Sequence, residues 1–220
     1  MKSIFADFHE NEYIRNKIEQ QIGDVMSLQE LISEGKTIEE IARWLNEQTP
    51  EERLLSTRAL NKKTQKKLYI LAINSEPLTL DYFASQSQDK TEIIHDGKNS
   101  LPVFTLFQKR FCRQEDGKIV GYNHGSTMKL IGPGYFVAKE TTGNKDWEDK
   151  GSVVIDYYEV PETKPIDSWP EIKGNGQGLQ KLVYYHMHDF MRKVSDHVSI
   201  GVAYKNGSYS GNYFVLCRQD

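Results

Sequence analysis

The sequence predicts an α+β protein: an N-terminal helical subdomain, then an antiparallel β-sheet or partly closed barrel ordered β-β-β-β-α-β-β with one packed helix. Three observations carry this expectation. Apolar residues recur every three to four positions in the first third of the chain. Beyond Ser100 the period changes to two. Near the C-terminus, Asn206-Gly207 separates two alternating segments as a hairpin turn.

The helices come first. Between Phe5 and Ile22, Phe8, Ile14, Ile18 and Ile22 keep a spacing near four with charges between them. Thr37-Ile38-Glu39-Glu40 has the form of a capping box, followed by the stripe Ile38, Ile41, Ala42 and Leu45. Thr49-Pro50-Glu51-Glu52 opens the next helix with proline where its missing amide costs nothing and with acids facing the positive end of the dipole. Asn61 caps a further helix over Lys62 to Ile73. From Asn74 to Asn99, scattered Ser, Pro, Asp and Gly break the periodicity. The expected division is a helical subdomain over 1–75, a linker over 76–99 and an antiparallel α+β domain over 100–220.

In that last domain, Phe107, Lys109, Phe111 and Arg113 alternate against Gln108, Arg110 and Cys112, and Lys118 to Asn123 returns after Asp116-Gly117. Met128 to Ile131 and Tyr135 to Glu140 read as strands flanking the bend Gly132-Pro133-Gly134, and Ser152 to Val160 is a β-branched run. After an irregular connection from Thr163 to Gly178, Leu179, Leu182, Val183, His186, Phe190 and Val194 fall on one face of the packed helix, expected over 179–194. A two-residue turn at Asn206-Gly207 pairs Tyr204 with Tyr209, Val202 with Gly211, Ile200 with Tyr213 and Val198 with Val215. One face of this ribbon is apolar and aromatic. The other is small and polar, carrying Ser199, Gly201, Ala203, Ser208, Ser210 and Asn212, with Phe214 its only large member.

Composition narrows the function. With 38% hydrophobic and 27% charged residues and a net charge of −3, the chain resembles a soluble domain without general attraction to nucleic acid or anionic membrane. No stretch is long and apolar enough to span a bilayer, and Asp7, Glu10 and Glu12 cut short the apolar start, so no signal peptide is expected and the expected location is cytoplasmic. Cys112 and Cys217 are expected as buried thiols rather than a disulfide.

No motif names a reaction. His186 and His188 cannot chelate one metal from a regular helix, neither His-Glu-x-x-His nor Cys-x-x-Cys occurs, and Gly132-Pro133-Gly134 and Gly174 to Gly178 lack the context of a nucleotide loop. No cofactor or metal is expected. Thr37 to Leu45 looks like the first helix of a helix-turn-helix, with Arg58, Lys62, Lys63, Lys66 and Lys67 nearby, but Glu51 and Glu52 at the following helix would repel DNA. Tyr122, His124 and Tyr135 sit beside glycine-rich turns, as pocket-lining residues often do. Asp156, between apolar neighbours and beside Tyr158, is either ion-paired with Arg110 or Arg113 or set in a pocket.

The leading expectation is therefore a module that accepts a small apolar or amphipathic ligand through Tyr122, His124, Tyr135, Asp156, Tyr158, His186 and Asn212, with a protein partner contacting residues 1–75. An enzyme using Asp156, His124 or His186 as acid–base groups comes second. A DNA-binding or interaction role for residues 37–67 comes third.

Overall fold

Ser27, Thr37 and Thr49 each end an extended stretch by accepting the amide three residues ahead, while Glu30, Glu40 and Glu52 reach back to the cap amides. These capping boxes open α1 (Leu28–Glu34), α2 (Ile38–Glu47) and α3 (Pro50–Arg58). Asn61 caps α4 (Lys62–Leu71) through the Thr64 amide. The computed structural model describes residues 26–85 and 90–219. The helix expected between Phe5 and Ile22 lies outside them, whereas α1 adds a helix the periodicity did not disclose.

Among its described residues, the stretch 76–99, expected as a linker, contains the short α5 (Leu80–Phe83) and strand β1 (Ile93–Asn99). Seven more strands follow: β2 (Leu106–Arg113), β3 (Ile119–His124), β4 (Phe136–Glu140), β5 (Val153–Asp156), β6 (Met187–Lys193), β7 (Val198–Lys205) and β8 (Ser208–Arg218). Each pairs antiparallel with the next, and β8 returns to β1 through Gly97 opposite Leu216. The α+β architecture is as expected, but the barrel is fully closed, so no sheet edge is left unpaired.

Two elements differ from expectation. Met128–Ile131 is a helical turn, α6, rather than a strand. The packed helix over 179–194 is instead one turn, α7 (Gln180–Val183), then a reversal at His186 (φ 57°) and the strand β6. The periodicity misleads here because β6 is covered on both faces. Met187 and Met191 pack in the barrel, while Phe190 and Val194 pack outside it and imitate a helical stripe.

The hairpin turn forms as expected, with Asn206 and Gly207 both at positive φ and Tyr204 opposite Tyr209. A bulge then adds two residues to β8, with Gly211 left-handed, so Val202 faces Tyr213, Ile200 faces Val215 and Val198 faces Cys217. The slip is even, so each side chain keeps its face. The apolar face lies outside the barrel, where Val198, Ile200, Val202, Tyr213 and Val215 pack against Ile32, Ile41, Leu45 and Leu68 of the helices. Asn46 bonds Asp196, and Arg58 pairs with Asp96 at 3.0 Å, fixing how the helices sit.

Inside, small residues alternate with aromatic ones. The Phe107, Phe136 and Phe214 rings lie over Gly97, Gly121 and Gly201, in space that a Cβ would need. Phe83 of α5 closes one end, 4.8 Å from the Phe111 ring centroid, and Arg113 holds it there through the Ala84 carbonyl and Asp81. Gly121→Ala would push a methyl into the Arg110 carbonyl and the Phe136 ring. It is expected to lower the unfolding free energy by about 1–3 kcal/mol in a urea titration. A wild-type midpoint would refute this packing.

Candidate functional site

The opposite end of the barrel is open. It is framed by the β1–β2 connection, α6, α7 and the β8 bulge, and it encloses a cavity of about 450 Å³. Leu101, Phe104, Met128, Leu182 and Met187 contribute apolar wall, while Ser210 and Asn212 enter through the bulge. The inner half of the small-residue face is filled, since Phe214 occupies the space over Gly201. Its outer half, Ala203, Ser210 and Asn212, borders the cavity.

The cavity floor is polar. Lys109 of β2, Asn123 of β3, Tyr157 just past β5 and Asp189 of β6 all occupy inward positions and converge. The Lys109 Nζ donates to Asn123 Oδ1 at 3.0 Å, to Asp189 Oδ2 at 3.0 Å and to the Tyr157 hydroxyl. Lys109 is 2% and Asp189 4% exposed. The ammonium lies 5.0 Å from the Phe136 and Tyr157 ring centroids and 5.1 Å from that of Phe214, so aromatic faces replace part of its hydration. Burial lowers the pKa of Lys109, and the Asp189 charge offsets part of that shift. Burial first, then the Asp189 charge, pushes the Tyr157 hydroxyl well above its usual range.

The backbone around the floor fixes these orientations. The Asn123 Nδ2 donates to the Gly134 carbonyl and the Tyr157 hydroxyl, both at 3.0 Å, which leaves Oδ1 turned to Lys109. Gly134 (φ 56°) gives up the space the Tyr184 ring needs, and its amide donates to Gln180 Oε1. Tyr184 in turn stacks on Tyr157 at 5.5 Å. Asn175 ties the long connection down by donating to the Tyr135 and Tyr157 carbonyls at 2.8 Å.

All three Lys109 protons are therefore committed within the floor. Asp189 Oδ2 accepts from Lys109 and Tyr157, whereas Oδ1 has no hydrogen-bond partner among the described residues. The floor as a whole is neutral and offers one acceptor.

Of the residues expected to form a site, His124 and Asn212 line this cavity. Burial first, then the Arg110 guanidinium, holds the His124 pKa below its ordinary value, so the imidazole at the rim is neutral at pH 7. Tyr122 and Tyr135 lie on the outer face under Trp169, with ring centroids 4.9 Å and 6.2 Å from the indole. Asp156, Tyr158 and His186 gather on the outer wall, where Tyr158 is sandwiched between His186 and His188. Asp156 does not pair with Arg110 or Arg113. Its Oδ2 accepts Lys139 at 2.8 Å, and its Oδ1 accepts His188 Nε2 at 3.2 Å and the Tyr158 amide at 2.9 Å. Burial resists ionisation of Asp156, but these donors outweigh it and hold the carboxyl below the usual carboxylate range. So saturated a carboxylate is a poor general base.

No known protein family, curated protein or solved structure matches this chain. The functional reading rests on the cavity itself. Of the floor, the sequence points only to Asn123, within Tyr122-Asn123-His124 at a strand end; Lys109, Tyr157 and Asp189 are not expected as site residues. The one signal for those three was Lys109 set between Phe107 and Phe111 on a single strand face.

Proposed function

We propose that the barrel binds a small, largely apolar molecule whose single polar end is a neutral hydrogen-bond donor, best met by a hydroxyl. The observation that carries this reading is the floor: a neutral, internally bonded tetrad with one vacant acceptor beneath an apolar-walled cavity of about 450 Å³. Eight-stranded barrels are wide enough for one small ligand, and the volume falls in the range of small-molecule sites. A carboxylate would compete with Asp189 for Lys109, and an ammonium would meet Lys109 across Asp189. A hydroxyl meets neither obstacle.

The test is calorimetric titration with a medium-chain primary alcohol and with its methyl ether. The alcohol is expected to bind saturably, and the ether roughly 10- to 100-fold more weakly, because a hydrogen bond to a charged acceptor contributes about 1.5–3 kcal/mol. Asn212→Trp, which fills the mouth, is expected to abolish binding while leaving the fold intact. Equal affinity for alcohol and ether, or no saturable binding of either, would overturn the assignment.

A further inference from the structure

We propose that the open end of the barrel is a docking surface for an anionic lipid bilayer. This inference stands apart from the ligand assigned above, because it rests on the rim and not on the floor. Large apolar side chains project there unpartnered. Phe104 is 67% exposed and Leu182 73%, with Val103 and Leu106 also exposed around the same opening and Leu130 exposed on the neighbouring α6.

The backbone presents them deliberately. Phe104 is held at φ 51°, a conformation that bulky residues avoid. Asn99 maintains it: Nδ2 donates to the Phe104 carbonyl at 3.1 Å, while Oδ1 accepts the Leu101 amide at 3.0 Å. The loop is thus braced from within, and Phe104 stays exposed at the rim while it also borders the cavity.

Charge selects the partner. The chain carries 31 acids against 28 bases, yet residues 97–108, 123–133, 178–188 and 203–214, which run to the open end, contain no Asp or Glu. Lys98, Lys129, Lys181 and Lys205 lie in those segments near the rim. Asp189 is the one carboxylate among the cavity-lining residues, and Lys109 neutralises it. Exposed phenylalanine and leucine flanked by these lysines, with Glu171 the acid that shares the groove of Lys129 and Leu130, suit the interface of a bilayer with negative headgroups. No helix among the described residues is long and apolar enough to cross a membrane, so the contact is peripheral. It would also place the cavity mouth against the apolar phase.

The full chain is to be sedimented with phosphatidylcholine vesicles and with vesicles of equal parts phosphatidylcholine and phosphatidylglycerol. Binding to the mixed vesicles is expected to exceed binding to the neutral ones by about 10-fold or more, given the contribution of each lysine near an anionic surface. Phe104→Asp and Leu182→Asp are each expected to remove most of that binding. The double variant Lys129→Glu/Lys181→Glu should lose the anionic preference yet still bind the alcohol in calorimetry, so that failure of docking and failure of the ligand assignment separate. Lys118→Glu, at the closed end, should behave as wild type, and circular dichroism verifies that each variant is folded. No sedimentation with the mixed vesicles would overturn the proposal. So would wild-type binding by Phe104→Asp, or retention on heparin without vesicle binding, which would indicate a polyanion partner instead.

Discussion

Replacing Lys109 by methionine is expected to destabilise the protein by about 3–5 kcal/mol, the largest effect of any single side chain outside the apolar core. The reason is not the strength of the ion pair. Two buried charges 3.0 Å apart cost much of their attraction in lost hydration, and the net value of such a pair is modest. Removing the ammonium alone leaves the buried Asp189 carboxyl without its counter-charge, with Asn123 Oδ1 and the Tyr157 hydroxyl each losing one donor. Asp189→Leu should cost a similar amount, by stranding the ammonium among Phe136, Tyr157 and Phe214. The double variant Lys109→Met/Asp189→Leu removes both charges together. It is expected to lie only about 1–2 kcal/mol below wild type, the residue being the hydrogen bonds that Asn123 and Tyr157 lose. Urea unfolding of the four proteins closes the cycle. If the double loss equals the sum of the single losses, the floor is held by packing and not by charge compensation.

The same residues show what the sequence could and could not disclose. The α+β organisation, the capped helices at Thr37, Thr49 and Asn61, and the Asn206-Gly207 turn are local events, set by a few neighbouring atoms, and they were legible. Barrel closure is not local. It needs β1, which lies in a stretch whose Asp96 and Gly97 look like a loop until Phe107 covers the glycine. Asp189 was hidden because β6 is covered on both sides, so Phe190 and Val194 imitate a helical face and the inward set of Met187, Asp189 and Met191 goes unnoticed. The hairpin register was right at the turn and slipped by two beyond it, since a bulge at Gly211 depends on how the mouth is built. Because the slip is even, the small face still points inward, and its outer half borders the cavity. Tyr122, Asp156 and His186 drew attention by chemistry alone, and chemistry does not say which side of a barrel wall a residue occupies.

Above pH 10 the protein is expected to unfold steeply, and the tyrosine hydroxyls set the slope. Burial raises the pKa of Tyr69, Tyr135 and Tyr157 above the ordinary value, with the Asp189 charge adding to the shift at Tyr157. Each donates to an oxygen it could not keep as a phenolate: the Lys150 carbonyl, the Pro170 carbonyl and Asp189 Oδ2 respectively. An unfolded tyrosine releases its proton near pH ~10, whereas these retain theirs in the fold, so above that pH the native state binds more protons and stability falls as pH rises. Each such group removes about 1.4 kcal/mol per pH unit, so these three alone contribute about 4 kcal/mol per pH unit, and Tyr184 and Tyr213, also raised by burial, add to it. Lys109 acts in the opposite sense. Its lowered pKa makes the unfolded chain the better proton binder, so its contribution to stability improves as pH rises, up to the ordinary lysine value near ~10.4, and then ends. The loss should therefore steepen beyond that point. Tyrosinate absorbance and circular dichroism, followed together through an alkaline titration, are expected to show phenolate from these three groups appearing in step with loss of the barrel. Tyr157→Phe should make the slope shallower by about 1.4 kcal/mol per pH unit, since one raised group is gone. If every tyrosine ionises near pH 10 while the barrel persists, the buried hydroxyls are not held as placed.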